Sequence, residues 1–412
     1  MNAHATVTTK KSGGTDFDVI IVGGGPSGAT AAEWLARRGL HVLLADREGR
    51  VKPCGGAIPT KAIRDFAIAE SEIKAKIGSA RIIAPSGKSI DMAIGDIGYV
   101  GMVDRDTFDP YLRERAAKAG AERFTGTFKT LGYRADGTVE ALFEAKTEAH
   151  EEVRFTARAL IGADGAKSPV RKAALGVETT PKYVFAYHEV IEAPKGIDTA
   201  LYHPGRCDVI YEGAISPDFY GWVFPHGGQA SIGCGTAFKD HDMKEATRVL
   251  RERAGLADAR TIRREGAPLP LKPLRRWDDG RAVVLAGDAA GVVAPSSGEG
   301  IYYAMLAGRL CAEATAEFLE TGRAKALKSA RRRFMKDHGR VFFILGILQA
   351  IWYRNDKKRE QFVTLCADPD VQRLTWESYL NKAIPKRDWR AQLRVFIKDI
   401  RHLMGLRTEP HV

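Results

Sequence analysis

Gly23, Gly25 and Gly28 stand in the run GGGPSG, directly after the apolar stretch FDVIIV (17–22) and at the start of a helical pattern, SGATAAEWLARRG (27–39). At this spacing Gly23 permits a tight turn and Gly25 clears room for a diphosphate. Gly28 lets the helix pack closely, with its first N–H groups facing the anion. Asp46, 18 residues past Gly28 at the end of HVLLA (41–45), is placed to accept hydrogen bonds from a ribose. Strand, helix, strand and acid in this order point to a dinucleotide, without choosing between NAD and FAD. A second stretch, GDAAGVVAPSSGEGI (287–301), makes that choice. Asp288 follows an apolar strand and suits a ribitol hydroxyl. Pro295, Gly298 and Gly300 bring backbone and a helix N-terminus to one place, where negative charge on the N1–C2=O edge of a reduced flavin would be stabilised. By itself the same stretch also reads as a glycine-rich loop with a helix-capping acid.

Cys54 lies in VKPCGGAIP (51–59), where Pro53 stiffens the chain and Gly55-Gly56 allows close approach of the backbone. A thiol held this way could donate a proton to a substrate or pack beside it as a small hydrophobe. Tyr220, Trp222 and Phe224 alternate along a predicted strand that ends at Pro225, so period two puts the three rings on one face. They form either the wall of an apolar slot or an aromatic core cluster. His188, His203 and His226 fall in the same region; their spacing suits no metal site, no metal is expected, and ordinary surface or core roles are assigned to them. The five cysteines contain no CxxC pair, which argues against zinc or a disulfide framework and for a reducing compartment.

These residues need a scaffold. Residues 17–46 read as a βαβ unit, and RALIGADG (158–165) and RAVVLAGDAAG (281–291) as further strands running into glycine–aspartate turns. Residues 180–275 alternate apolar and polar positions as an antiparallel sheet does, and helical spacing dominates from Gly300. The expected fold is α/β: a Rossmann-like FAD-binding domain, an inserted antiparallel β-sheet substrate domain and a C-terminal helical region. The expected boundaries are a flexible tail at 1–15, the first part of the FAD-binding domain at 16–178 with a short inserted sheet near 80–102, the sheet domain at 179–278, the second part of the FAD-binding domain at 279–322 and a basic helical region at 323–412.

Composition fits a soluble globular chain, with 44% hydrophobic and 28% charged residues. The polar start, MNAHATVTTKKSGGTD, reads as a loose tail and resembles neither a signal peptide nor a transit helix; the scattered cysteines set the expectation of a cytoplasmic location. The net charge is +12, and residues 321–412 hold 21 Lys+Arg against 9 Asp+Glu, so the whole excess lies there. Such a segment expects an acidic partner. Nucleic acid is not expected, because no recognised binding module is present. The 13 uncharged residues Val341 to Tyr353 are too few to span a bilayer. They suit a core helix or an interfacial helix with Trp352 and Tyr353 at headgroup level.

GxGxxG, then GADGAKSPVRK (162–172), then GD…P…GxG, in this order, resembles the flavoprotein superfamily that contains aromatic hydroxylases. The resemblance adds Asp164 as a cofactor residue. It also adds Arg105, in VDRDTFDPYLRERAAKAGAE (103–122), as an FAD contact; read without the resemblance, Arg105 is equally a solvent-facing charge flanking a helix. YGWVFPHGGQASIGCG (220–235) matches the YxWxFP…GxG pattern of geranylgeranyl reductases, and PCGG (53–56) is similar to their cysteine loop. YRNDKKREQFVTLCADPDVQRLTWESYLNK (353–382) looks like the (bacterio)chlorophyll branch of that family. The resemblance runs from about Phe17 to about Leu406. It implies FAD, NADPH and three successive reductions of a geranylgeranyl chain to phytyl. The chain would be carried as geranylgeranyl diphosphate or esterified to a tetrapyrrole, with Gly55, Gly56, Tyr220, Trp222, Phe224 and Pro225 lining its pocket. A substrate of this kind favours peripheral attachment to an anionic membrane. No second GxGxxG occurs, so NADPH would visit without a Rossmann domain of its own. Two other readings stand beside it: an FAD-dependent monooxygenase or halogenase, which shares the dinucleotide motifs, and a non-catalytic prenyl-lipid carrier of related architecture, which would not need Gly23, Gly25, Gly28, Asp46 and Asp288 all intact.

Overall fold

The run FDVIIV forms the strand Phe17–Val22 with all six residues buried, as expected of a strand covered on both faces. It is the centre of a parallel array. Phe17–Val22 pairs with Val42–Asp46 on one side and with the second half of Glu152–Gly162 on the other. Val283–Leu285 extends the array beyond Glu152–Gly162, and the first residues of Glu122–Tyr133 extend it beyond Val42–Asp46. Both of the long strands continue past this array and are bridged there by Val139–Ala145, antiparallel to each. The helices Pro26–Ala36, Arg105–Lys118 and Ile301–Thr321 belong to the same unit. Pro26–Ala36 and Ile301–Thr321 touch closely: a Cβ on Gly308 would lie 2.1 Å from the Ser27 carbonyl oxygen.

The computed structural model describes residues 14–382 except 48, 50, 149, 194, 195 and 197. Two units emerge. The first joins the chain up to Lys52 with Arg105–Tyr183 and Pro268–Arg340; the second joins Pro53–Asp104, Val184–Ala267 and the chain from Val341 onward. The second unit holds a seven-stranded sheet in the order Thr261–Leu269, Val184–Glu192, Gln229–Thr236, Gly221–Pro225, Arg206–Ile210, Ser79–Ile83, Ser89–Ala93. A three-stranded sheet, Ala57–Pro59, Val100–Met102 and Ala75–Ile77, accompanies it. The helix Met243–Arg253 contributes Ala246 and Leu250 to a core with Ile215, Val223, Ile232 and Cys234.

Three expectations change. The sheet near 80–102 is not an insertion in the dinucleotide unit: Ser79–Ile83 pairs in parallel with Arg206–Ile210, Ala80 opposite Cys207 and Ile83 opposite Ile210. The edge of one strand needs hydrogen-bond partners, and the segment supplies them across more than a hundred residues of sequence. The basic C-terminal region is not one piece, because the boundary between units falls inside the helix Lys328–Trp352. Trp352 and Tyr353 are buried, at 2% and 4% exposure, rather than set at a headgroup level. The Tyr211 hydroxyl meets that of Tyr353 at 3.1 Å, and the buried Arg359 donates to the carbonyls of Tyr353 (2.6 Å) and Ser216 (3.2 Å). Polar anchoring of both backbone and side chain makes this turn part of the core. Of the expected tail, Thr15 is already buried and donates to the Phe17 carbonyl; residues 1–13 lie outside the described chain. Among the described residues, no helix is long and apolar enough to cross a membrane.

Candidate functional site

Within the first unit the glycine turn is built by close approach of backbone. Gly23 has φ +105°, and a Cβ there would lie 2.3 Å from the Ala163 carbonyl oxygen; the Ala163 amide donates to Val22 at 2.7 Å. A Cβ on Gly28 would lie 1.8 Å from the Gly23 oxygen. The helix Pro26–Ala36 starts at Gly25 with no side-chain cap and no acidic residue in its first turn, so its first amide groups are left for an anion. A Cβ on Gly25 would meet nothing nearer than Arg105 Nη2 at 3.8 Å. Open space above uncapped amides fits a diphosphate.

Asp46 closes this end of the unit. Its carboxylate accepts from the Arg47 amide (2.9 Å) and pairs with Arg113 (3.3 Å), which also donates to the Gly24 carbonyl (3.3 Å). Arg105 is the first residue of its helix; it is buried and bound in a fork to Asp109 at 2.6 and 2.7 Å, so it is not a solvent-facing charge. Asp164 is committed to its own turn. One carboxylate oxygen accepts from Ser168 Oγ (2.5 Å) and the other from the Val170 amide (2.9 Å), while Ser168 caps the helix Pro169–Leu175 by accepting from the Arg171 amide. Burial pushes the Asp164 carboxyl up from its ordinary value. The residue thus starts a helix and fixes the turn that follows the strand Glu152–Gly162.

Asp288 is buried in the tight turn Gly287–Ala290, where it binds the Lys52 ammonium at 2.5 Å. Gly298, at φ +64°, turns the chain toward Gly300, which begins the helix Ile301–Thr321; Pro295 opens that turn. Glu299 accepts from the Tyr302 amide at 2.9 Å. One amide of the helix end expected to face a flavin carbonyl edge therefore already has a carboxylate partner.

Within the second unit the cysteine loop is braced from two sides. A Cβ on Gly55 would lie 3.3 Å from the Phe224 ring, and one on Gly56, at φ +74°, would lie 2.3 Å from the Val103 oxygen and 2.4 Å from His226 Cε1. Only glycine fits between the wall and the imidazole. Cys54 is half-buried, and its Sγ accepts from the Gly56 amide at 3.4 Å. His226 is buried at 7% exposure, with Nε2 3.1 Å from the Gly55 carbonyl and Nδ1 2.7 Å from Asp104 Oδ1. The Gly55 carbonyl can only accept, so the Nε2 contact requires a hydrogen on that nitrogen, while Nδ1 faces the Asp104 carboxyl.

Phe224 and Pro225 close the strand Gly221–Pro225, whose rings fall on one side as period two predicts. Tyr220 lies 6.0 Å from Trp222, and Trp222 lies 6.2 Å from Phe224, centre to centre. Trp222 Nε1 donates to Ser231 Oγ (3.0 Å), which also meets His188 Nδ1 (2.8 Å); the far nitrogen of His188 faces Glu265 at 3.3 Å. Burial raises the Tyr220 phenol well above its ordinary value, so this wall stays uncharged.

Lys52, Arg113, Glu299, Asp104 and His226 were not anticipated. The signal for His226 was its place directly after the aromatic strand; the metal-spacing argument set it aside because that argument asks only about neighbouring histidines. Lys52 and Pro53 are consecutive, as are Asp104 and Arg105, and the chain passes from one unit to the other at both steps.

The FAD binding domain family matches residues 16–336. Geranylgeranyl diphosphate reductase from Rhodobacter capsulatus is 53% identical over 390 residues, covering 95% of this chain and 98% of that protein. The chloroplastic geranylgeranyl diphosphate reductase of Nicotiana tabacum is 36% identical over 401 residues, covering 93% and 85%. Among solved structures, a geranylgeranyl bacteriochlorophyll reductase-like protein from Thermoplasma acidophilum superimposes with a TM-score of 0.77 at 23% identity, covering 91% and 99%. A flavin-dependent brominase gives 0.71 at 18%, covering 94% and 99%; both likenesses speak to the fold. The chain belongs to the geranylgeranyl reductase family of FAD-dependent oxidoreductases.

Proposed function

We propose that the protein reduces the isolated double bonds of a geranylgeranyl chain to give phytyl, with NADPH as the reductant and the chain presented as its diphosphate or as an ester of (bacterio)chlorophyll. The observation that carries this reading is the cysteine loop seated on Phe224 at the end of a three-ring apolar face and backed by His226. A polyprenyl chain has no polar group along its length, so recognition rests on such a face. NADPH and the pigment ester rest on the family resemblance, and the diphosphate on the relatives' names.

Bound FAD would supply the hydride, held by the turn Gly23–Gly28, Asp46, Arg105 and the Asp288 turn. An isolated trisubstituted alkene has no carbonyl to accept electron density, so a proton must reach it as the hydride does. The aromatic face excludes water and tolerates positive charge at the more substituted carbon. The loop holds a thiol, and behind it His226 Nδ1 lies 2.7 Å from Asp104 Oδ1. Anaerobic incubation with NADPH and each candidate substrate is expected to add hydrogen in pairs, read by product mass. NADPH consumption that requires O₂ and yields no reduced chain would assign the protein to the oxygen-using halogenases and hydroxylases instead.

His226 acts by positioning the loop. His226→Ala leaves the Gly55 carbonyl and Asp104 without their donor, a loss of about 1–3 kcal/mol, or roughly 5- to 150-fold. Alkene reduction is expected to slow by that factor with flavin reduction by NADPH unchanged, and His226→Gln to recover part of it. Equal loss in both half-reactions would mean a general loss of structure.

Peripheral attachment to an anionic membrane is part of the same reading. Phe343 (68% exposed) and Ile347 (42%) lie one turn apart on Lys328–Trp352 and face outward, and Lys336 and Arg340 on the same helix are exposed. Residues 383–412 of the basic segment lie outside the described chain. Each basic residue near such a surface contributes about 1 kcal/mol. Anionic vesicles are expected to sediment the protein at low salt and release it at high salt; no binding at low salt would count against attachment.

A further inference from the structure

We propose that a basic cleft in the first unit, between residues 275–278 and the start of the helix Lys328–Trp352, binds a phosphate- or diphosphate-bearing group. The cleft, open to solvent and about 710 Å³ in volume, presents Arg275, Arg276, Lys328, Arg331 and Arg332 against a single carboxylate, Asp278. That carboxylate is buried and accepts from the Gly280 amide at 3.0 Å. Among the described residues none of the five cations is ion-paired, whereas the next residue, Arg333, pairs with Glu313 at 2.6 Å. Two of the five are aimed by their own backbone. Arg276 Nε donates to the Asp278 carbonyl (2.6 Å) and Arg331 Nε to the Leu274 carbonyl (2.8 Å), which leaves the terminal nitrogens of both for a ligand.

The helix itself supports the assignment. Its first turn carries no acidic residue, and Lys328, Arg331 and Arg332 all crowd its positive end. Cations there are disfavoured, and like charges around a concave surface repel one another and focus a strong positive field. A compact anion relieves both costs. Arg guanidinium forks match phosphate oxygens, which favours a dianionic phosphate over a carboxylate. The cleft is fastened to the turn Gly287–Ala290 that holds Asp288: the Leu274 amide, one residue before Arg275, donates to the Ala290 carbonyl at 2.9 Å. Three sources carry this chemistry in the proposed reaction: the extra phosphate of NADPH, the diphosphate of a prenyl substrate, and a lipid headgroup.

The test is binding and does not depend on turnover. Inorganic pyrophosphate titrated calorimetrically into the flavin-loaded protein at low salt is expected to bind one to one. The exposed pair Arg275→Ala/Arg332→Ala is expected to weaken it tenfold or more, at unchanged flavin content and melting temperature. Arg332→Ala alone, expected to weaken it severalfold, keeps the test open if the double variant folds poorly. No binding at low salt, or equal affinity in the variants, overturns the proposal. Displacement of pyrophosphate by NADPH but not NADH identifies the first source, by geranylgeranyl diphosphate the second, and by phosphatidylglycerol vesicles the third. Pyrophosphate that none of them displaces marks an adventitious ion only and also overturns it.

Discussion

Gly25→Ala is expected to fold normally and purify without flavin, whereas Gly28→Ala is expected to lose both flavin and stability. The difference is steric. At Gly28 an added Cβ would lie 1.8 Å from the Gly23 carbonyl oxygen, a backbone atom fixed by the close contact of Gly23 with Ala163. The helix must then move off the turn. Overpacking of ordinary severity costs about 1–3 kcal/mol, and an immovable backbone contact belongs at or beyond the top of that range. At Gly25 the backbone is extended, with φ −75° and ψ −176°, and the nearest atom to a Cβ is 3.8 Å away. Alanine there harms nothing in the protein itself. It fills only the space above the amides of the uncapped helix end, where a diphosphate must approach. Gly39→Ala is the control: φ is +79° with open space around it, so the cost is about 1 kcal/mol of backbone strain, and flavin stays bound. The ratio of flavin to protein absorbance and the melting temperature read all three. A yellow Gly25→Ala protein would remove the cofactor from this turn.

The second large effect is expected at Cys54. If the thiol delivers the proton, Cys54→Ala slows alkene reduction on pre-reduced flavin by at least about 100-fold, within the range for loss of a positioned acid. Cys54→Ser, with a weaker acid at the same place, falls between the two. Flavin reduction by NADPH and flavin content are expected to hold in both variants, because among the described residues Cys54 bonds to the Gly56 amide of its own loop. A thiol that merely packs beside the alkene gives a change of severalfold, since alanine retains most of its volume. The size of the effect therefore separates the two roles, and unchanged turnover removes Cys54 from the chemistry.

The same residues mark how far sequence reasoning reaches. The glycine turn, its helix and Asp46 were legible because a βαβ unit keeps them within about thirty residues and each has one steric or hydrogen-bonding duty. The aromatic face was legible because a strand repeats every two residues, and Tyr220, Trp222 and Phe224 lie along one face in that order. Arg105 was legible as a candidate only through family likeness, and its burial and fork to Asp109 take it out of solvent, which its position at the start of a helix did not announce. Glu299 lay inside a stretch already singled out, yet its capping bond depends on the exact turn that Gly298 makes.

Sequence alone determined the class of cofactor turn, the alignment of three aromatic rings along one face of a strand and the concentration of positive charge near the C-terminus. Tertiary structure decided the partners. Lys52 reaches Asp288 across 236 residues, His226 reaches Gly55 across 171 and Asp104 across 122, and Arg113 reaches Asp46 across 67. It also carried residues 79–93 into the larger sheet and folded Trp352 and Tyr353 inward. The physical reason is common to all of these. Local geometry is set by sterics and periodicity between near neighbours, whereas an ion pair, a strand edge or an amphipathic ring accepts any complementary partner, and only the path of the whole chain selects which one arrives.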